Sequence, residues 1–115
     1  MHVPDPRDQE VAYRYFSPFV ERFRDCTSVL DVASGRGFFL DLMKDAGTPA
    51  TGIEFDAELV ESSNARGLSV EQADFFEYLP GVSPNKFDGV HASHIIEHFT
   101  PAQVERLFAL LRPAM

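Results

Sequence analysis

Four short apolar runs in this chain each end on residues with chemical potential. The first, Val29-Leu-Asp-Val, carries an acid inside it, Asp31, and is followed by small residues at Ala33, Ser34, Gly35 and Gly37. Small residues let a backbone turn sharply and approach a ligand closely. The free N–H groups of a helix starting there would suit an anion such as a carboxylate. Glu54 closes the second run, about twenty residues after the turn, where a carboxylate can accept two ribose hydroxyls. Asp74 closes the third, beside Phe75 and Phe76. An acid there could accept from the exocyclic amine of a purine, and an adjacent ring could cover the base. Each feature has a plainer reading: a tight turn, a solvated glutamate, and an aspartate capping a turn over two core phenylalanines. Phe76 in particular reads as core.

After the fourth run stands His91-Ala-Ser-His94-Ile-Ile-Glu97-His98. His94 to His98 matches H-x-x-E-H, in which two histidines one turn apart share a zinc ion and the glutamate serves as base. Such a site needs a long helix and a third ligand well downstream, and only residues 99–115 follow. A zinc hydrolase is therefore kept as an alternative and no metal is assigned. His94, and after it His98, are candidate proton acceptors, because imidazole titrates near neutrality.

These residues must be held by alternating elements. Strands are predicted over 28–33, 50–55, 68–73 and 87–93. Phe38, Phe39, Leu42 and Met43 are spaced like a buried helix face that stops near Gly47. Asp56 can cap a second helix that ends near Gly67. Pro80, Gly81, Pro84 and Asn85 mark loops. Thr100-Pro-Ala-Gln103 is a capping box with proline at the first helical position. The helix it opens would bury Val104, Leu107, Phe108 and Leu111 and stop at Pro113. Ahead of the first strand, Tyr13, Phe16, Phe19, Val20 and Phe23 recur at near-helical spacing, with Ser17-Pro18 predicting a break or kink near 17. Tyr13, Tyr15 and Phe16 could line a lid, with a core role better suited to Phe16. Strands alternating with helices predict an α/β fold with a Rossmann-like parallel sheet. Ligands on such sheets bind beyond the carboxyl ends of the strands, where strand order reverses.

Composition narrows the function. The 115 residues suit one domain, read as 1–26 (an N-terminal helical segment) and 27–115 (the βα core). A net charge of −8 lacks the basic footprint of a nucleic-acid binder and disfavours anionic membrane surfaces. The single Cys26 cannot form an internal disulfide, and the start is not an apolar signal segment, so a cytoplasmic setting is expected.

Together these residues resemble the class I S-adenosylmethionine-dependent methyltransferases, from about Ser28 to Arg112. Val29-Leu-Asp-Val-Ala-Ser-Gly-Arg-Gly37 resembles the family's V-L-D-x-G-x-G-x-G. Gly52-Ile-Glu-Phe-Asp56 resembles its second-strand acidic motif and Gln72-Ala-Asp74 its third. Phe87-Asp-Gly-Val-His-Ala-Ser-His-Ile-Ile-Glu-His98 resembles F-D-x-I-x-x-x-x-V-L-E-H, and Leu110-Leu-Arg-Pro113 resembles L-K-P-G-G. The signal lies in the motifs' order and separation.

The resemblance implies S-adenosyl-L-methionine as cofactor and strands one to four, in order 3-2-1-4, of a seven-stranded fold. Ala33, Ser34, Gly35 and Gly37 would surround its methionine end, with Asp31 holding the turn and the ammonium. Glu54 would take the ribose hydroxyls and Phe55 pack on adenine. Asp74 would meet the adenine amine, with Phe75 beside the ring. Ala92 and Ser93 would close the pocket near the methyl group. Ala33 departs from the family's first glycine, and Arg36 stands at a variable position and would face solvent. The fourth motif lacks the Asn/Asp-Pro-Pro-Tyr of enzymes that methylate nucleic-acid bases. Its wording, with Glu77-Tyr-Leu-Pro80, resembles methyltransferase domains of polysaccharide biosynthesis. The implied activity is methyl transfer to a small-molecule or saccharide-type acceptor. A catalytically inactive cofactor- or nucleotide-binding module and a nicotinamide-dependent dehydrogenase are alternatives. Because the motifs stop where a fifth strand should begin, the chain reads as a truncated domain lacking the acceptor half of its site. The exposed edge of strand four would be covered by a second copy or by the rest of a longer chain.

Overall fold

The computed structural model describes residues 6–92 and 100–115. Its elements run α1 (Pro6–Arg22), β1 (Val29–Val32), α2 (Phe38–Asp45), β2 (Ala50–Glu54), α3 (Ala57–Ala65), β3 (Val70–Gln72), α4 (Phe75–Tyr78), a 3-10 turn (Leu79–Gly81), β4 (Gly89–His91) and α5 (Pro101–Ala114). The four strands are parallel and lie in the expected order β3-β2-β1-β4. The chain leaves β1 towards β2 on one side and later returns to β4 on the other. That reversal makes the crevice beyond the end of β1 the place for a ligand.

All four residues of β1 are buried, as expected for a parallel strand covered on both faces. Leu30 and Val32 join Ile53, Phe87, Leu107 and Leu111 in the core under α5. Val29 joins Val20, Phe39, Leu40, Met43 and Val70 under α1 and α2. Two ties set the register of the strand starts. The Asp88 carboxylate accepts from the Thr27 and Ser28 N–H groups at 2.7 and 2.9 Å, joining the loops that enter β4 and β1. The Ala114 carbonyl accepts from the Phe87 N–H at 2.8 Å, docking the end of α5 beside β4.

The helix starts follow the predicted chemistry. Asp56 accepts from the Glu58 and Leu59 N–H groups, and Thr100 forms its capping box with Gln103. Three expectations are corrected. First, α1 is one helix through Pro18 rather than a broken one. Arg14 and Pro18 are both exposed, so the carbonyl that loses its helix partner lies on the wet side. The Ser17 hydroxyl donates to the Tyr13 carbonyl at 2.6 Å. Packing of Phe16, Phe19, Val20 and Phe23 on the sheet offsets the proline cost of about 3 kcal/mol. Second, residues 75–81 are helical rather than loose, because Asp74 caps α4 by accepting from the Phe76 N–H. Third, α5 runs on to Ala114, and Phe108 is 46% exposed while Leu110 packs on the core. Among the described residues, no helix is long and apolar enough to cross a membrane.

Candidate functional site

Two cavities open beyond the carboxyl ends of the strands, and both are bordered by Ala33. One, of about 310 Å³, is bordered by Glu54, Phe55, Asp74, Phe75 and Phe76. The other, of about 220 Å³, is bordered by Phe16, Asp31, Ser34, Gly35 and His91, with Arg36 at its side. The fold brings most of the sequence candidates to these cavities and sorts them into two compartments.

The turn between β1 and α2 separates them. Ala33, Gly35 and Gly37 all have left-handed backbone, with φ of 59°, 58° and 83°. Alternate left-handed residues let the chain double back within five residues, with the Ser34 N–H donating to the Ile53 carbonyl and the Gly37 N–H to the Ser34 carbonyl. Of the three, Ala33 alone carries a side chain. It takes the conformation that glycine adopts freely, at a steric cost of about 1–2 kcal/mol.

Glu54, rather than Asp31, ties this turn. Its Oε1 accepts from the Gly35 N–H at 2.9 Å and its Oε2 from the Asp56 N–H at 2.9 Å. Each carboxylate oxygen keeps a second lone pair. The side chain is therefore fixed in place and still able to accept two hydroxyl protons. Across the same cavity, Asp74 Oδ1 takes the Phe76 N–H at 2.8 Å. Phe55 is 75% exposed at the rim, while Phe75 and Phe76 lie 4.6 Å apart by ring centres. Arg106 stands 5.0 Å over Phe76, which holds that ring from α5.

The second cavity has a different character. Asp31 is only 3% exposed, and its Oδ1 meets His91 Nδ1 at 2.9 Å. Burial pushes the Asp31 carboxyl above the usual carboxylate range, and the bond to His91 works against that shift. Ser34 Oγ is buried with no hydrogen-bond partner, over the space left by the missing side chain of Gly52. Among the described residues, no side chain caps the start of α2, so its first N–H groups are left for another acceptor. The first of them belongs to Phe38, which also borders this cavity.

Helix α1 forms the wall above. Tyr13 donates to Asp41 at 3.2 Å, and Arg66 donates to the same Asp41 oxygen and to the Arg36 carbonyl, both at 2.8 Å. This chain of contacts joins α1, α2, α3 and the turn. Burial and the neighbouring Asp41 raise the Tyr13 phenol above its ordinary pKa. Of the three aromatic residues expected to form a lid, only Phe16 borders the cavity, and it packs into the core as well.

A family model described as a methyltransferase domain matches residues 29–114. The chain belongs to that family. Its similarity extends to solved structures. A SAM-dependent methyltransferase from Archaeoglobus fulgidus is 29% identical, with a TM-score of 0.86 over 93% of this chain and 48% of its own. A sugar N-methyltransferase from Streptoalloteichus is 22% identical, with a TM-score of 0.71 over 100% of this chain and 51% of its own. A mitomycin 7-O-methyltransferase is 22% identical, with a TM-score of 0.68 over 96% and 37%. The chain thus spans only 37% to 51% of the length of these three structures. No curated protein matches it significantly. Family membership implies S-adenosylmethionine as the cofactor. The donor set fits it: a carboxylate and aromatic rims for a nucleoside in one cavity, and a buried acid, an orphaned hydroxyl and uncapped helical N–H groups for an amino-acid end in the other.

Gly37 and Ala92 border neither cavity. Gly37 faces the start of β3 and the end of α3, where Leu68, Ser63 and Arg66 fill the space a side chain would need. Its role in the structure is to pack the turn. Ala92 packs on the core at the end of β4. Ser93, His94 and His98, and with them the whole H-x-x-E-H match, lie outside the described residues. His91 is the residue sequence reading passed over. Its signal was a polar residue inside an apolar strand, paired in register with the acid inside β1. Arg36, expected in solvent, is exposed but borders the second cavity.

Proposed function

We propose that this chain binds S-adenosylmethionine across the two cavities and transfers its methyl group to a small-molecule or saccharide-type acceptor. The observation that carries the reading is the pair of compartments meeting at Ala33, with Glu54 at one and Asp31 at the other. The bound cofactor supplies a methyl group activated by its sulfonium. Glu54, already oriented by two backbone bonds, accepts the ribose hydroxyls on its spare lone pairs. Asp74 accepts from the adenine amine while Phe55 and Phe75 cover the base. Asp31 receives the ammonium, and Ser34 with the start of α2 meets the carboxylate.

Rate then comes from holding an acceptor in line with the methyl carbon, an effect that can supply about 7–11 kcal/mol. A proton acceptor is required only where the incoming hydroxyl or amine carries its proton. His94 and His98, which follow β4 in the chain, are proposed for that task. The acceptor class is supported by the acidic charge, by the missing base-methylation motif, and by relatives that act on a sugar and on mitomycin.

Calorimetric titration of the chain with S-adenosylhomocysteine tests the cofactor reading. Binding is expected, and Glu54→Ala should weaken it about tenfold or more, the loss of charge-assisted hydrogen bonds. Absence of binding, or an unchanged affinity in the variant, would refute the assignment. Labelled methyl transfer to a panel of amino sugars and phenols, with a tRNA and a DNA duplex as the contrary arm, tests the acceptor class.

A further inference from the structure

Among the described residues, the histidine that reaches the cavity is His91. It is paired in register with Asp31 on the adjoining strand, and the two side chains share one face of the sheet. The imidazole lies flat on Phe39, with ring centres 3.9 Å apart and planes 6° from parallel. Phe16, Phe19 and Phe23 surround it at 5.5, 5.8 and 6.3 Å. Both members of the pair are buried and both border the second cavity. The ring is therefore held in plane by four aromatic side chains, with Nδ1 directed at Asp31 Oδ1.

A buried carboxylate that must meet a cation has two requirements. It has to stay ionised against the cost of burial, and it has to present a free oxygen in a fixed direction. An imidazole donating from Nδ1 to one oxygen meets both, since it stabilises the charged form and leaves the other oxygen to a ligand.

We propose that His91 is a positioning residue for the cofactor: by bonding Asp31 Oδ1 it orients that carboxylate so that its second oxygen receives the α-ammonium of the amino-acid end. This rests on the cofactor reading above.

Phe16 and Phe19 of α1 and Phe39 of α2 turn their rings towards the imidazole. Arg22 lies over Phe19, and Asp41 is engaged by Tyr13 and Arg66. Arg36 borders the cavity, and Glu54 acts on Asp31 through space.

The test compares two ligands on the full chain by calorimetry. S-adenosylhomocysteine carries the amino-acid end, and 5′-methylthioadenosine carries the same nucleoside without it. His91→Phe keeps an aromatic ring and removes the donor. It should lose about tenfold or more in affinity for S-adenosylhomocysteine, the size of a charge-assisted bond, and keep its affinity for methylthioadenosine. His91→Asn, whose amide can replace the Nδ1 donor, should retain the affinity for S-adenosylhomocysteine that His91→Phe loses. Should His91→Phe not fold, His91→Leu takes its place in the two-ligand comparison.

Equal loss of both ligands in His91→Phe, or loss of S-adenosylhomocysteine binding in His91→Asn, would overturn the positioning role and leave the cofactor reading standing. So would a wild-type chain that binds both ligands equally well. A wild-type chain that binds neither overturns the cofactor reading and this inference together.

Discussion

Gly35→Ala and Gly37→Ala form a matched pair in which backbone strain is shared and crowding is not. Both glycines are left-handed, at φ of 58° and 83°. A Cβ on Gly35 would meet nothing within 4 Å. A Cβ on Gly37 would lie 2.8 Å from Leu68 Cδ1, 3.0 Å from Ser63 Oγ and 3.1 Å from Arg66 Nη2. The first variant carries strain only. A left-handed alanine costs about 1–2 kcal/mol, part of which is offset by the stiffer unfolded chain, so a net loss of about 1 kcal/mol is expected. The second adds an overpacked contact worth about 1–3 kcal/mol. Little of that can relax. Ser63 is fully buried, and Arg66 Nη2 is held by the Arg36 carbonyl and Asp41. The expected total is about 2–4 kcal/mol, a large part of a small domain's stability. In urea, with a slope of about 2 kcal/mol/M, the two midpoints should differ by about 1 M. Coincident midpoints would show that the turn yields at Gly37 and that the packing argument is wrong.

Three further outcomes are expected. The backbone and hydroxyl donors of Thr27 and Ser28 hold the Asp88 carboxyl below the usual carboxylate range. Its folded pKa lies below its unfolded one, so its contribution is complete above about pH 3.9 and is lost as the pH falls through the folded value. The stability gap between wild type and Asp88→Asn should therefore close in acid, and a gap that stays constant from neutral to acid pH contradicts this. Thr100→Ala removes the capping box of α5 and should cost about 1 kcal/mol by denaturant melting; no loss would mean that the start of α5 is held by packing alone. Arg66→Met removes both bonds that join α3 to the turn and to Asp41, and should cost about 1–3 kcal/mol, with Tyr13→Phe less damaging because it removes a single bond. The reverse order would place the weight of that network on α1.

Much of the site was legible because its determinants are local. Asp56 and Thr100 cap their helices through atoms two or three residues away, so their chemistry is written in adjacent positions. Glu54, Asp74 and the small residues from Ala33 to Gly37 follow strand ends, and strand ends in a parallel sheet converge on one edge. The misjudged features depended on packing. Pro18 did not break α1 because its carbonyl partner faces water, and burial of four apolar side chains exceeds one missing bond. Phe108 has the spacing of an inward residue yet points out, since a helix of 3.6 residues per turn offers neighbouring positions to the same face.

The sequence by itself determined the order of elements, the acids at the ends of the strands and the family they resemble, because turns, caps and hydrophobic period act between near neighbours. Only the tertiary structure decided which side chains share a compartment. It assigned Glu54 to tie the turn, divided the candidates between two cavities and joined His91 to Asp31 across 60 residues. Those outcomes depend on strand register and on what packs against each face, and both are properties of segments far apart in the chain.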